Sequence, residues 1–169
     1  MLDKLEDNHL LAVAMVSHMY YHPDPMSLIT SAQPQDGVVS LPFWVNTRNG
    51  AIACTRQIES SLLKVRKPMV RLPDVEVPIL EIAQSVDMTM PSGRSEFVFS
   101  VLRHIIHAQW SAEIDMNELG LCAESLATIR KNLAQPLASH RGTQCASSVL
   151  NNVIMPVLVE GRDSNTQFH

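Results

Sequence analysis

Apolar positions crowd the first twenty residues. From Asp3 to His22, Leu5, His9, Ala12, Val16 and Tyr20 fall near one helical face, and Leu10, Leu11, Val13, Met15 and Met19 widen it until little polar surface remains. The pattern predicts a helix that other elements or a second subunit must bury. Pro23 disfavours helical geometry at His22 and so predicts the stop. His22 to Gly37 holds Pro23, Pro25 and Pro34 and reads mainly as loop, with Asp24-Pro25 opening a short helix through Ala32. Val38 to Val45 is β-like, and Pro42 within it predicts an edge strand. Asn46 to Gly50 reads as a turn and Ala51 to Cys54 as the returning strand. Thr55 is placed to cap a helix running to about Lys67, with Ile58, Leu62 and Val65 inward.

Further along, Met69 to Leu72 reads as a short strand, and Pro78 fits the first turn of a helix through Val86. Asp87 to Gly93 is expected as loop. Ser95 to Ser111 alternates an apolar set (Phe97, Val98, Val101, Leu102, Ile105, Ile106) with a polar stripe (Glu96, Ser100, Arg103, His107), which is helical spacing. A last helix is expected over Cys122 to Ala134, stopping before Pro136. Beyond it, small polar residues, the apolar stretch Val149 to Val159 and a polar end read as a tail that is flexible or held by a partner. The fold class expected is α/β, more fully a helix-rich α+β fold. It has a small compact body over residues 1–129 with a short β-hairpin or sheet, and a C-terminal tail over residues 130–169.

Composition adds little, but charge changes the picture. The 169 residues are 46% hydrophobic and 18% charged, enough for a core, and the formal net charge of -4 excludes a uniformly basic coat. The opening residues, Met1 to Asp7, are net acidic and lack the basic flank of a signal peptide. No apolar run approaches a membrane span, so a protein that is neither secreted nor membrane-anchored is expected. Yet Arg48, Arg56, Lys64, Arg66, Lys67 and Arg71 face a single acid, Glu59, over 24 residues. Asp74 to Asp87 then carries four acids and no base, and from Arg130 onward Arg130, Lys131, Arg141 and Arg162 outnumber two acids. Local cations attract phosphate without a basic protein overall. The alternative is a solvated helix face paired with the acids that follow. No aromatics interleave these bases, so backbone contact is expected rather than base stacking.

The candidate chemistry is sparse. His18 and His22, and His104 and His107, each share one side of a helix, as metal ligands do, but no Glu-x-x-His pattern accompanies them. Asp74 with Glu76, and Glu113 with Asp115, are carboxylates two apart; solvated acids explain them as well as a magnesium site does. Cys54, Cys122 and Cys145 have no paired thiol and no neighbouring histidine. Six scattered glycines exclude a phosphate-cradling P-loop. No catalytic residue, metal or cofactor is therefore expected. Leu119 to Leu133 resembles the turn and second helix of a helix-turn-helix unit. Gly120 would make the turn, Ser125 would face outward, Leu126, Ile129 and Leu133 inward, and Arg130 and Lys131 toward phosphates. Ala112 to Leu119 would be its first helix, which makes a DNA-binding transcriptional regulator the second reading.

In size and layout, a compact body through about Ile129 followed by the tail Arg130 to His169, the chain resembles the small packaging-factor proteins of double-stranded-RNA bacteriophages (cystoviruses). The resemblance implies a homodimeric virion-core protein of the host cytoplasm that assists RNA packaging and capsid assembly. It implies RNA contact through Arg130, Lys131, Arg141 and Arg162, and no catalysis. The apolar stretch Val153 to Val159 is then expected to lodge on a capsid partner. The first reading is thus a non-enzymatic assembly protein with weak, non-specific RNA binding.

Overall fold

The computed structural model describes residues 5–55, 69–138, 150–157 and 159. Helix α1 (Asp7–Tyr21) carries an acid in its first turn, where the helix dipole favours it, and gives way to extended backbone at His22, before Pro23. His9 to Val16 and Met19 are all buried. Helix α2 (Pro25–Thr30) starts on Asp24, whose carboxylate accepts the Ser27 N–H at 3.2 Å.

The β-like run after α2 forms two strands rather than one. Strand β1 (Val39–Leu41) and strand β2 (Trp44–Asn46) are separated by Pro42, which has no N–H to give a ladder. Strand β3 (Ile52–Ala53) returns from the turn, and β4 (Met69–Arg71) and β5 (Val75–Val77) follow. All pairings are antiparallel: β1 with β5, and β3-β2-β4 as a three-stranded sheet. Register runs Val39↔Val77 to Leu41↔Val75 in one sheet and Trp44↔Arg71 to Asn46↔Met69 in the other. Leu72 to Asp74 thus oppose only Pro42 and Phe43, and one bond across that joint, Leu72 N–H to the Phe43 carbonyl at 2.9 Å, keeps the tracks together. The edge-strand expectation fails for this reason: Pro42 lies in the joint, leaving β2 free to be central. Strand β5 was not expected, although Val75 and Val77 are buried and Glu76 exposed, which is the period of a half-buried strand.

Helix α3 (Ile79–Ser85) leads to α4 (Pro91–Ser111), which begins within the expected loop because Pro91 suits the first turn. Phe97, Val101, Leu102, Ile105 and Ile106 are buried. Helix α5 (Ala123–Ala138) continues past Pro136, where the expectation had it stop. The stretch Leu150–Ile154 is a π-helical turn against α4, with helical residues 155–157 after it. The helix expected over Thr55 to Lys67 falls almost wholly outside the described residues.

The result is a mixed α+β fold around α1, which packs against α4, α5, α2 and β3. One hydrophobic cluster joins these elements, and it includes Val153, Ile154 and Val157. One expectation changes. The apolar stretch Val153 to Val159 covers the chain's own core through these three residues instead of waiting for a capsid partner. Helix α1 is enclosed from His9 to Val16, while α4 keeps Glu96, Arg103 and His107 exposed. No helix among the described residues is long and apolar enough to cross a membrane.

The hairpin seats directly on α5. Asn46 Oδ1 accepts the Arg48 N–H at 2.9 Å, and the Gly50 N–H donates to the Asn46 carbonyl at 2.7 Å. Gly50 has φ +69, and a Cβ there would stand 2.7 Å from Ile129 Cα. Gly120 has a similar φ of +70 but nothing within 4 Å. Gly50→Ala therefore costs more stability in urea denaturation than Gly120→Ala, with the latter near 1 kcal/mol for its backbone strain. Leu11→Ala, deep in α1, costs about 2–5 kcal/mol in the same experiment.

Candidate functional site

The tip and one edge of the three-stranded sheet carry cations. Arg48 is exposed in the β2–β3 turn. Arg71 ends β4 opposite Trp44, and its guanidinium lies 5.9 Å from the ring centroid of that buried tryptophan. One guanidinium nitrogen of Arg71 also donates to both Asp74 oxygens, at 3.0 and 3.1 Å, and Ser40 Oγ donates to the same carboxylate at 3.1 Å. The pair is largely exposed and so adds little stability. It shows that the acidic stretch after Arg71 begins by holding that arginine in place. Arg56, Lys64, Arg66 and Lys67 lie outside the described residues. Their chain, however, leaves from β3 and returns at β4, and both strands pair with β2. The basic connection is therefore fastened to one sheet at both ends.

The cations of the last 40 residues behave differently. Arg130 reaches back to the start of α1, donating to the Leu5 carbonyl and standing 3.6 Å from the Asp7 carboxylate. It joins α5 to α1, in place of the outward phosphate contact expected. Lys131 is exposed on the same helix. Arg141 and Arg162 lie outside the described residues.

The helix-turn-helix expectation does not survive. Gly120 makes its turn and Leu126 and Ile129 point inward, as expected. But Ala112 to Leu119 is not a helix. Asp115 turns the chain there, accepting the Asn117 N–H at 2.9 Å, and the Leu119 N–H donates to the Asp115 carbonyl at 3.3 Å. An aspartate that satisfies its own backbone in this way competes with helix formation. Ser125, expected to face outward, is buried. With no first helix and no outward Ser125, the motif is not formed.

Ser125 instead meets Cys122, at 3.4 Å from Sγ to Oγ. The Cys122 carbonyl accepts the Leu126 N–H, which places this exposed residue at the head of α5. The Ser125 hydroxyl, then its N–H, hold the Cys122 thiol below its ordinary range. Cys54 is the opposite case: burial, reinforced by Asp74, pushes its thiol up to about 12. The pairing of Cys122 with Ser125 is legible afterwards as a cysteine three residues ahead of a serine at a helix start.

The histidine pairs build no metal-holding group among the described residues. His18 is half-buried near the end of α1, with its ring centroid 6.1 Å from that of His22. Its Nε2 accepts the Cys54 N–H at 3.3 Å. His104 and His107 are exposed on α4. Partial burial, then His107, lower His104, and Glu81 opposes them. Among the described residues no three of histidine, cysteine, aspartate and glutamate gather in a metal-holding group.

Iodoacetamide at neutral pH is expected to modify Cys122 well before Cys54, as peptide mapping by mass spectrometry would record. Ser125→Ala should move the pH midpoint of Cys122 alkylation upward, because the stabilised thiolate loses its donor. Compared with protein-family models, curated proteins and solved structures, the chain matches none, so its own geometry carries the functional reading.

Proposed function

We propose that the chain is a non-enzymatic RNA-binding accessory protein, of the kind that assists packaging and assembly of a viral core. In this reading it grips RNA through the basic connection between β3 and β4. The observation that carries this is the anchoring of that connection. Six cations from Arg48 to Arg71 oppose one acid, and the two strands that bound most of them sit on either side of β2. Cations this close in sequence raise the local potential seen by a polyphosphate without a basic protein overall. Arg48 and Arg71 are the two of them that stand on the sheet and its hairpin turn among the described residues. The tail contributes less, since Arg130 is committed to α1.

Contacts of this kind are made to the phosphodiester backbone and are indifferent to sequence. They suit an assembly role, in which RNA is held loosely while other proteins act on it. Fluorescence anisotropy with a labelled single-stranded RNA tests the proposal. Replacing Lys64, Arg66 and Lys67 together by Gln should weaken binding and flatten the salt dependence by about 2 in log–log slope, at about 0.7 per cation. Arg130→Gln should lower stability and leave that slope unchanged. An unaltered affinity and slope in the triple variant would overturn the proposal.

A further inference from the structure

The two histidines at the end of α1 both serve as hydrogen-bond acceptors. His18 Nε2 takes the N–H of Cys54, just past β3, at 3.3 Å, and His22 Nδ1 takes the N–H of Asp24, the residue that caps α2, at 3.1 Å. A neutral imidazole has one acceptor nitrogen, and an imidazolium has none. These bonds therefore require the proton on Nδ1 of His18 and on Nε2 of His22. Of the two residues they hold, Cys54 lines a cleft of about 330 Å³, together with Leu28 of α2, Ser31 and Ala32 just after it, Leu41 of β1, Pro42, and Thr55.

We propose that His18 forms a proton-operated latch on this cleft, closed while its ring is neutral and released when it takes up a proton. Release converts the Nε2 acceptor into a donor facing the Cys54 N–H, which breaks the link from α1 to the cleft wall at Cys54. The acids near the latch are Asp24, in the turn into α2, and Asp74, which acts on the Cys54 thiol. Among the described residues on the elements packed around α1, His22 is the charge that acts on His18. Burial first, and His22 second, hold His18 below the ordinary imidazole range, so the latch works on the acid side of neutrality. With its folded value depressed, His18 contributes stability that is present above the ordinary imidazole value. That stability is lost as pH falls through the folded one.

The test is a titration of the intact protein by NMR from about pH 8 to about pH 5, where imidazoles titrate. It follows the imidazole nitrogens together with the amide protection of Cys54 and Asp24, corrected for intrinsic exchange. Cys54 protection should fall as pH drops toward the range in which His18 takes up its proton, at most about tenfold per pH unit for one proton. In His18→Gln, whose side-chain oxygen accepts without titrating, that dependence should vanish. Equal Cys54 protection at both ends of the range, or an unchanged dependence in the variant, overturns the proposal. Should the variant not fold, the wild-type shifts decide alone: a proton on Nε2 of His18 at neutral pH overturns the latch, and one on Nδ1 supports it.

Discussion

A helix without a polar face has to be enclosed, and α1 is such a helix. Its residues from His9 to Val16 leave no side for water, so the elements packed on it are placed by the need to cover it. Helix α4 supplies a long apolar face, α5 and α2 close further sides, and β3 brings the sheet against it. Fully burying each large apolar side chain is worth roughly 1.5–3 kcal/mol, which makes this helix the largest concentration of stabilising contacts in the fold. Polar links then fix the arrangement around it. Arg130 ties α5 to the start of α1, and His18 ties the end of α1 to Cys54.

The sheets answer to a second constraint, the lack of a donor at proline. Pro42 divides one extended track into β1 and β2, and the extra residue among Leu72 to Asp74 shifts the partner track by one. The two short sheets that result have different duties. The β1–β5 pair sends Val39, Leu41, Val75 and Val77 into the core. The β3-β2-β4 sheet fastens the chain's most basic connection and seats its hairpin on α5 through Gly50. Structure and charge meet at Arg71, which covers Trp44 and takes Asp74 as its partner.

Much of this was legible in the residues. Helical spacing located α1 and most of α4, Asp24-Pro25 located α2, and Asn46 to Gly50 located the hairpin. What escaped depended on partners distant in the chain. Nothing local shows that Val153, Ile154 and Val157 pack on this chain's own core, because an apolar stretch reads alike whichever surface receives it. Ala112 to Leu119 resembled a helix only through its likeness to a motif, and Asp115 turned it. The basic connection was visible as composition, but its fastening at both ends is a property of strand pairing. His18 and His22 were visible as a spacing that suits a metal. The actual use of His18, as acceptor of a backbone N–H, depends on Cys54 lying thirty-six residues away.

The enclosure of α1 by a single chain is the claim on which the rest stands. Native-state hydrogen exchange of the α1 amides across a hundredfold range of protein concentration tests it most directly. If one chain suffices, amides from Leu10 to Met19 exchange only through global unfolding, and their protection does not change on dilution. Protection that fades as the protein is diluted would mean that a second copy completes the core, and would contradict the account.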